Sequence, residues 1–140
     1  MKKKIVILGS TGSIGKNTLE IINHDNKNFQ IILLSTNKNI KKVFEQAKKF
    51  NVKNIIINDI ESFIKAKKLY KSTKIKIFNN FDSLDTIFKK IKIDYSMISI
   101  SGLDGLNPTL KMAKFSKNLA IVNKESLICG WCLIEKELKK

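Results

Sequence analysis

Lys4-Ile5-Val6-Ile7-Leu8-Gly9-Ser10-Thr11-Gly12-Ser13-Ile14-Gly15 is the stretch that decides the fold. Ile5 to Leu8 is short, apolar and rich in β-branched side chains, the pattern of a strand buried on both faces. Gly9 breaks the run. From Ile14, the apolar positions Ile14, Leu19, Ile21 and Ile22 follow helical spacing. A strand therefore passes into a helix through a turn built on Gly9, Gly12 and Gly15. Glycine allows the positive φ of a tight turn and lets another backbone or a ligand come close. The helix that follows offers free N–H groups and a partial positive charge to an anion.

The same alternation continues outward. Strands are expected at Lys4 to Leu8, Phe29 to Leu34, Asn54 to Ile57, Lys74 to Phe78, Tyr95 to Ile100 and Leu119 to Val122. Helices are expected at Ile14 to Ile22, Asn39 to Phe50, Glu61 to Tyr70, Asp82 to Ile91, Leu106 to Phe115, and from Glu125 onward. Ile40, Val43, Phe44, Ala47 and Phe50 make the second helix clearly amphipathic. Pro108 falls in the first turn of its helix, where the missing N–H costs nothing. Strands alternating with helices imply an α/β fold with a Rossmann-type, doubly wound parallel sheet and helices on both faces. No internal repeat, Gly/Ser linker or composition break divides residues 1–140, so one domain is expected.

In that context the glycine loop reads as a dinucleotide-binding turn, with Thr11 and Ser13 adding hydroxyls. The plainer reading is a tight strand-to-helix turn and nothing more. The spacing is G-x-x-G-x-x-G, which short-chain dehydrogenases and aspartate-semialdehyde-type enzymes also use, so it identifies a class of cofactor and not a reaction. After the second strand the chain reads Leu34-Ser35-Thr36-Asn37-Lys38-Asn39. The carboxylate that usually grips the adenosine ribose of NAD is absent from this segment. Lys38 supplies a cation, and Asn37 and Asn39 supply donors, which favours NADPH over NADH.

Val122-Asn123-Lys124-Glu125-Ser126-Leu127 follows the last expected strand. On its own it could be a helix cap at Asn123 beside a solvated lysine. The functional alternative sets Lys124 and Glu125 near the reacting end of a bound cofactor.

Composition bounds the rest. The chain has 140 residues, a net charge of +15 and a hydrophobic fraction of 43%. All its basic residues are lysines, scattered over nearly every segment, and arginine is absent. That fits drift toward Lys, Ile and Asn codons better than selection for gripping bases or phosphates bidentately. Nucleic acid is therefore not expected as a partner. No apolar run approaches the roughly 18 residues of a membrane span. The lysine-led start lacks the length and cleavage site of a signal peptide, and a cytoplasmic protein is expected. Cys129-Gly130-Trp131-Cys132 has the spacing of a redox or zinc pair. It lies well inside the last helix with no second ligand pair, so two small residues packing a helix is the expectation. His24 stands alone near a helix end.

Three segments together resemble the 1-deoxy-D-xylulose 5-phosphate reductoisomerase family. They are Gly9-Ser-Thr-Gly-Ser-Ile-Gly15 with Thr18-Leu19, Gly102-Leu-Asp-Gly-Leu-Asn-Pro-Thr-Leu110, and Asn123-Lys-Glu-Ser-Leu127 with Gly130. The resemblance runs over essentially the whole chain and implies the NADPH-binding N-terminal part of such an enzyme. It implies a divalent metal, Mg or Mn, and 1-deoxy-D-xylulose 5-phosphate as substrate. That ketose phosphate is rearranged and then reduced to 2-C-methyl-D-erythritol 4-phosphate, in the non-mevalonate route to isoprenoids. By position, Thr11, Gly12, Ser13 and Ile14 would contact the cofactor phosphates. Asn37, Lys38 and Asn39 would hold the 2′-phosphate side, although many members carry Gly where this chain has Asn37. Asn123 and Glu125 would touch the cofactor and Lys124 the substrate. The family's metal carboxylates lie beyond its Asn-Lys-Glu-Ser segment, so no catalytic or metal-binding residue is expected among these 140. The intact enzyme is expected to be a homodimer, and this chain alone to bind NADPH without turning over the ketose phosphate. An apolar surface left exposed would favour aggregation.

Overall fold

A computed structural model describes residues 1–140. The strands are β1 (Lys3–Leu8), β2 (Phe29–Thr36), β3 (Asn54–Ile57), β4 (Lys76–Phe78), β5 (Ile93–Ile98) and β6 (Ser116–Ile121). They form one sheet in the order β4-β3-β2-β1-β5-β6, and every neighbouring pair is parallel. The helices between them are α1 (Ser13–His24), α2 (Ile40–Lys49), α3 (Ile60–Leu69), α4 (Leu84–Phe88), α5 (Leu106–Ala113) and α6 (Lys124–Leu138). The expected doubly wound α/β architecture is the observed one.

Side chains alternate across a strand, and β1 shows what that does here. Ile5 and Ile7 enter a core with Leu19, Ile22, Val43 and Phe44 under α1 and α2. Val6 and Leu8 enter a second core with Leu84, Phe88, Ile98 and Met112 on the opposite face. Neighbours of β1 advance in opposite directions on its two sides, β2 to β4 one way and β5 to β6 the other. Carboxyl-end loops diverge at such a reversal, which opens a crevice between β1 and β5.

Most boundaries shift by a residue or two from the sequence reading, and three of the differences have a clear physical cause. β6 begins at Ser116, ahead of Leu119. Ser116-Lys117-Asn118 are polar because this strand is the sheet edge, where one side can face water. Ser116 pairs with Ile93, and its hydroxyl meets that of Ser96 at 2.6 Å. β5 likewise starts earlier, at Ile93, where Asp94 accepts the Lys4 amide at 2.9 Å. The helix expected over 82–91 is broken into a 3₁₀ turn, Phe81–Ser83, and the short α4. Asn80 accepts the Asp82 amide and receives the Ser83 hydroxyl on its carbonyl, and such side-chain bonds compete with a regular helical start.

Candidate functional site

The glycine loop is held by its neighbours. Gly9 has φ +82°, and a side chain there would also press into the carbonyl of Ser99. Its N–H donates to the Ser35 hydroxyl at 2.9 Å. Ser10 is buried, donates its hydroxyl to Gln46 Oε1 at 2.8 Å and accepts Gln46 Nε2 on its carbonyl at 2.9 Å. β2 and α2 therefore clamp the start of the loop. Gly15 lets α1 begin directly against it, since a Cβ would meet the Gly9 carbonyl and the Ser10 backbone. Gly12 precedes α1 with no side-chain cap, and the first turn carries no acidic residue. The opening N–H groups of Ser13, Ile14 and Gly15 have no carbonyl ahead of them in the helix. An anion placed there meets donors and the positive end of the helix.

Thr11 and Ser13 are placed differently. Thr11 Oγ1 is engaged with Thr36 Oγ1 at 2.7 Å, while Ser13 is exposed. Thr36 Oγ1 also accepts the Asn39 amide at 3.3 Å, and Asn39 Oδ1 caps α2 by accepting from Lys42. Lys38 is not alone: its ammonium lies 3.7 Å from Asp59. The sequence places no carboxylate at the end of the second strand, yet the fold brings one there from the start of α3. Hydrogen bonds from Ser62, and then the charge of Lys38, hold the Asp59 carboxyl below its ordinary range.

Two hollows lie along the carboxyl ends of the strands. One, of about 270 Å³, is lined by Gly9, Thr11, Gly12, Ser35, Thr36 and Asn37, and by Asn58, Phe81, Ser99, Ile100, Ser101 and Asp104 on the facing loops. The other, of about 420 Å³, is lined by Gly12, Ser13, Ile14, Val122, Asn123, Lys124 and Glu125. Both include Gly12, Ser99, Ile100 and Ser101, so together they form one crevice across the β1–β5 reversal. Residues separated by more than a hundred positions are thus gathered along it. Lys124 is exposed and Glu125 half-buried at the head of α6.

Asn123 does not cap α6, as its place before the helix suggested; its side chain makes no cap bond. Its Nδ2 reaches instead to the carbonyls of Ile100 and Gly102, at 2.8 and 2.7 Å. That ties the head of α6 to the loop leaving β5. Asn123 Oδ1 is buried without a partner, as is Ser126 Oγ. A buried acceptor left open is costly.

Ser35, Thr36, Asn58, Ser99, Ser101 and Asp104 were missed in the sequence reading. The only signal for them is position: each follows or ends a strand on the crevice side. Cys129 and Cys132 are both free and exposed, which overturns the expectation that they pack a helix. α6 buries Ser126, Gly130 and Ile134, a four-residue period that turns both cysteines away from the sheet. No group of three or more His, Cys, Asp or Glu side chains comes together to hold a metal ion. No helix is long and apolar enough to cross a membrane.

Comparison with known proteins agrees with this geometry. The family model described as 1-deoxy-D-xylulose 5-phosphate reductoisomerase matches residues 5–130. A protein of that name from Pelagibacter ubique (strain HTCC1062) is 61% identical over 139 residues, covering 99% of this chain and 36% of its own length. One from Thermotoga maritima is 34% identical over 140 residues, covering 99% of this chain and 35% of its own. The solved reductoisomerase from Zymomonas mobilis in complex with NADPH superposes with a TM-score of 0.88 at 29% identity. The match covers 99% of this chain and 36% of that one. A reductoisomerase in complex with magnesium gives 0.89 at 27% identity, covering 99% of this chain and 35% of the other. The chain spans about a third of the length of the curated relatives it matches.

Proposed function

The chain belongs to the 1-deoxy-D-xylulose 5-phosphate reductoisomerase family, and from that premise we propose that it binds NADPH along the β1–β5 crevice as the cofactor-binding part of such an enzyme. One observation carries the reading: a turn whose Gly9 and Gly15 leave no room for a side chain opens on uncapped helical N–H groups at the sheet's reversal point. The Zymomonas mobilis relative is itself a complex with NADPH.

Ser13 and Ile14 would present N–H groups to the pyrophosphate, and Gly12 would let the backbone come close beside them, its own N–H being given to the Gly9 carbonyl. Thr11 would contribute its backbone and a hydroxyl shared with Thr36. Asn37, Lys38 and Asn39 would meet the 2′-phosphate, with Lys38 as the cation. Asn123 and Glu125, which line the second hollow, would meet the cofactor there. Lys124, exposed at the same mouth, would hold the sugar phosphate. Bound NADPH supplies the hydride that reduces the rearranged aldehyde. The divalent metal has no set of ligands among these residues, and no step through it is assigned to them.

The whole enzyme would rearrange and reduce 1-deoxy-D-xylulose 5-phosphate as a cytoplasmic homodimer without nucleic acid. These 140 residues form one domain that does not complete the reaction alone. Calorimetric titration with NADPH and NADH, at two salt concentrations, tests the assignment. Saturable binding with NADPH clearly tighter is the expected result; no binding of either cofactor overturns it. NADPH oxidation by this chain with substrate and Mg²⁺ would overturn its incompleteness.

A further inference from the structure

Lys38 already has a counter-ion. Asp59 is not a loose surface acid, because its side chain is only 22% exposed whereas that of Lys38 is 72% exposed. Asp59 Oδ2 accepts the Ser62 amide at 2.9 Å and so caps α3. Its own N–H donates to the Asn37 carbonyl at 3.2 Å. The carboxylate is thus fixed both to α3 and to the turn after β2, and the flexible lysine comes to it. Ser62 and Lys38 hold it ionised at neutral pH.

We propose that Asp59 is a specificity-determining residue at the ribose end of the crevice, where it holds Lys38 and competes with a 2′-phosphate for that lysine. The inference rests on the NADPH reading above and deepens it. A 2′-phosphate gains Lys38 only by drawing it from a standing partner or by sharing it with a second anion. A cofactor with a 2′-hydroxyl asks nothing of Lys38 and is indifferent to the pair. Asp59 therefore lowers the preference for NADPH below what Lys38 alone would confer. An effect of about two- to fivefold fits a solvent-exposed ion pair, and it must shrink as salt rises.

The test is calorimetric titration of the full chain with NADPH and with NADH, at low and physiological salt. The proteins are the wild type, Asp59→Asn, Asp59→Ser, Lys38→Ala and the Lys38→Ala/Asp59→Asn double variant. Asn and Ser both remain good helix caps, so either variant removes the charge while keeping the start of α3. Both are expected to bind NADPH about two- to fivefold tighter at low salt and to leave NADH affinity unaltered. Once Lys38 is Ala, Asp59→Asn is expected to bring no gain, the coupling that a double-mutant cycle isolates. A merely structural role for Asp59 would move both cofactors together. Unchanged or weaker NADPH binding, an equal gain for NADH, or a gain that survives Lys38→Ala overturns the inference while wild-type NADPH binding leaves the assignment standing. A wild type that binds neither cofactor overturns both.

Discussion

The two halves of the sheet are finished differently. On the β1–β4 side the sheet is covered, Ile7, Leu33, Leu34, Ile55, Ile56 and Ile57 being fully buried, while α3 turns Ile60, Ile64 and Leu69 outward. Tyr70, at the end of α3, lies flat on Phe44 of α2 with ring centroids 3.6 Å apart. On the β5–β6 side the edge strand is at best half-buried, and α6 turns Ile128, Trp131, Leu133 and Leu138 outward. Trp131 is 49% exposed and Ile128 77% exposed. α6 turns out four such residues, a tryptophan among them, against three on α3, more than the scattered single ones normal on a surface. The Asn37 side of the crevice is thus framed by the larger core. The Asn123–Glu125 side hangs on a helix anchored by Asn123 and by Gly130, which sits against Leu106.

That contrast can be broken most forcefully at Phe44. Phe44→Ala removes a buried ring and its stacking contact with Tyr70 at once. It should cost about 3–5 kcal/mol in denaturant unfolding. A loss below 1 kcal/mol would show that this core is not the well-packed one. Gly9→Ala comes next, because it forces a left-handed φ and pushes a methyl group into Ser99. About 2–4 kcal/mol of lost stability is expected, together with loss of NADPH binding by titration. Full binding at wild-type stability would mean the loop is not the tight cradle described.

The opposite half should respond weakly. Trp131→Ser should change stability by no more than about 0.5 kcal/mol, while reducing self-association seen by light scattering. A large destabilisation would mean that the tryptophan is covered in solution. The smallest effect is electrostatic. Lys117 and the Lys4 amide hold Asp94 below its ordinary 3.8. A lowered carboxylate contributes stability fully above the unfolded value and loses it as pH falls through the folded one. Acid titration of stability should therefore fall less steeply below about pH 4 in Asp94→Asn than in wild type. Coincident curves would remove Asp94 from the account.

The first strand, the glycine turn and the amphipathic helices were legible because each depends on residues close together along the chain. Ile5 to Leu8 announces a strand by its run of apolar side chains, and α2 announces itself by its spacing. The polar start of β6 was not legible, since a strand pattern assumes two covered faces and an edge needs fewer. Asn123 was misread as a cap for a related reason: its position before a helix predicts one bond, while two carbonyls of another loop offered better ones. The cysteines were misread because which side of α6 faces the sheet depends on how the helix docks.

Sequence alone determined the alternating architecture, the glycine turn and the family, all of which are written in local order. Tertiary structure alone decided that Asp59 meets Lys38, that Gln46 clamps Ser10, and that Ser99 closes over Gly9. The reason is geometric. Parallel strands bring distant turns to the same end of the sheet, and no periodicity along the chain records which turns become neighbours there.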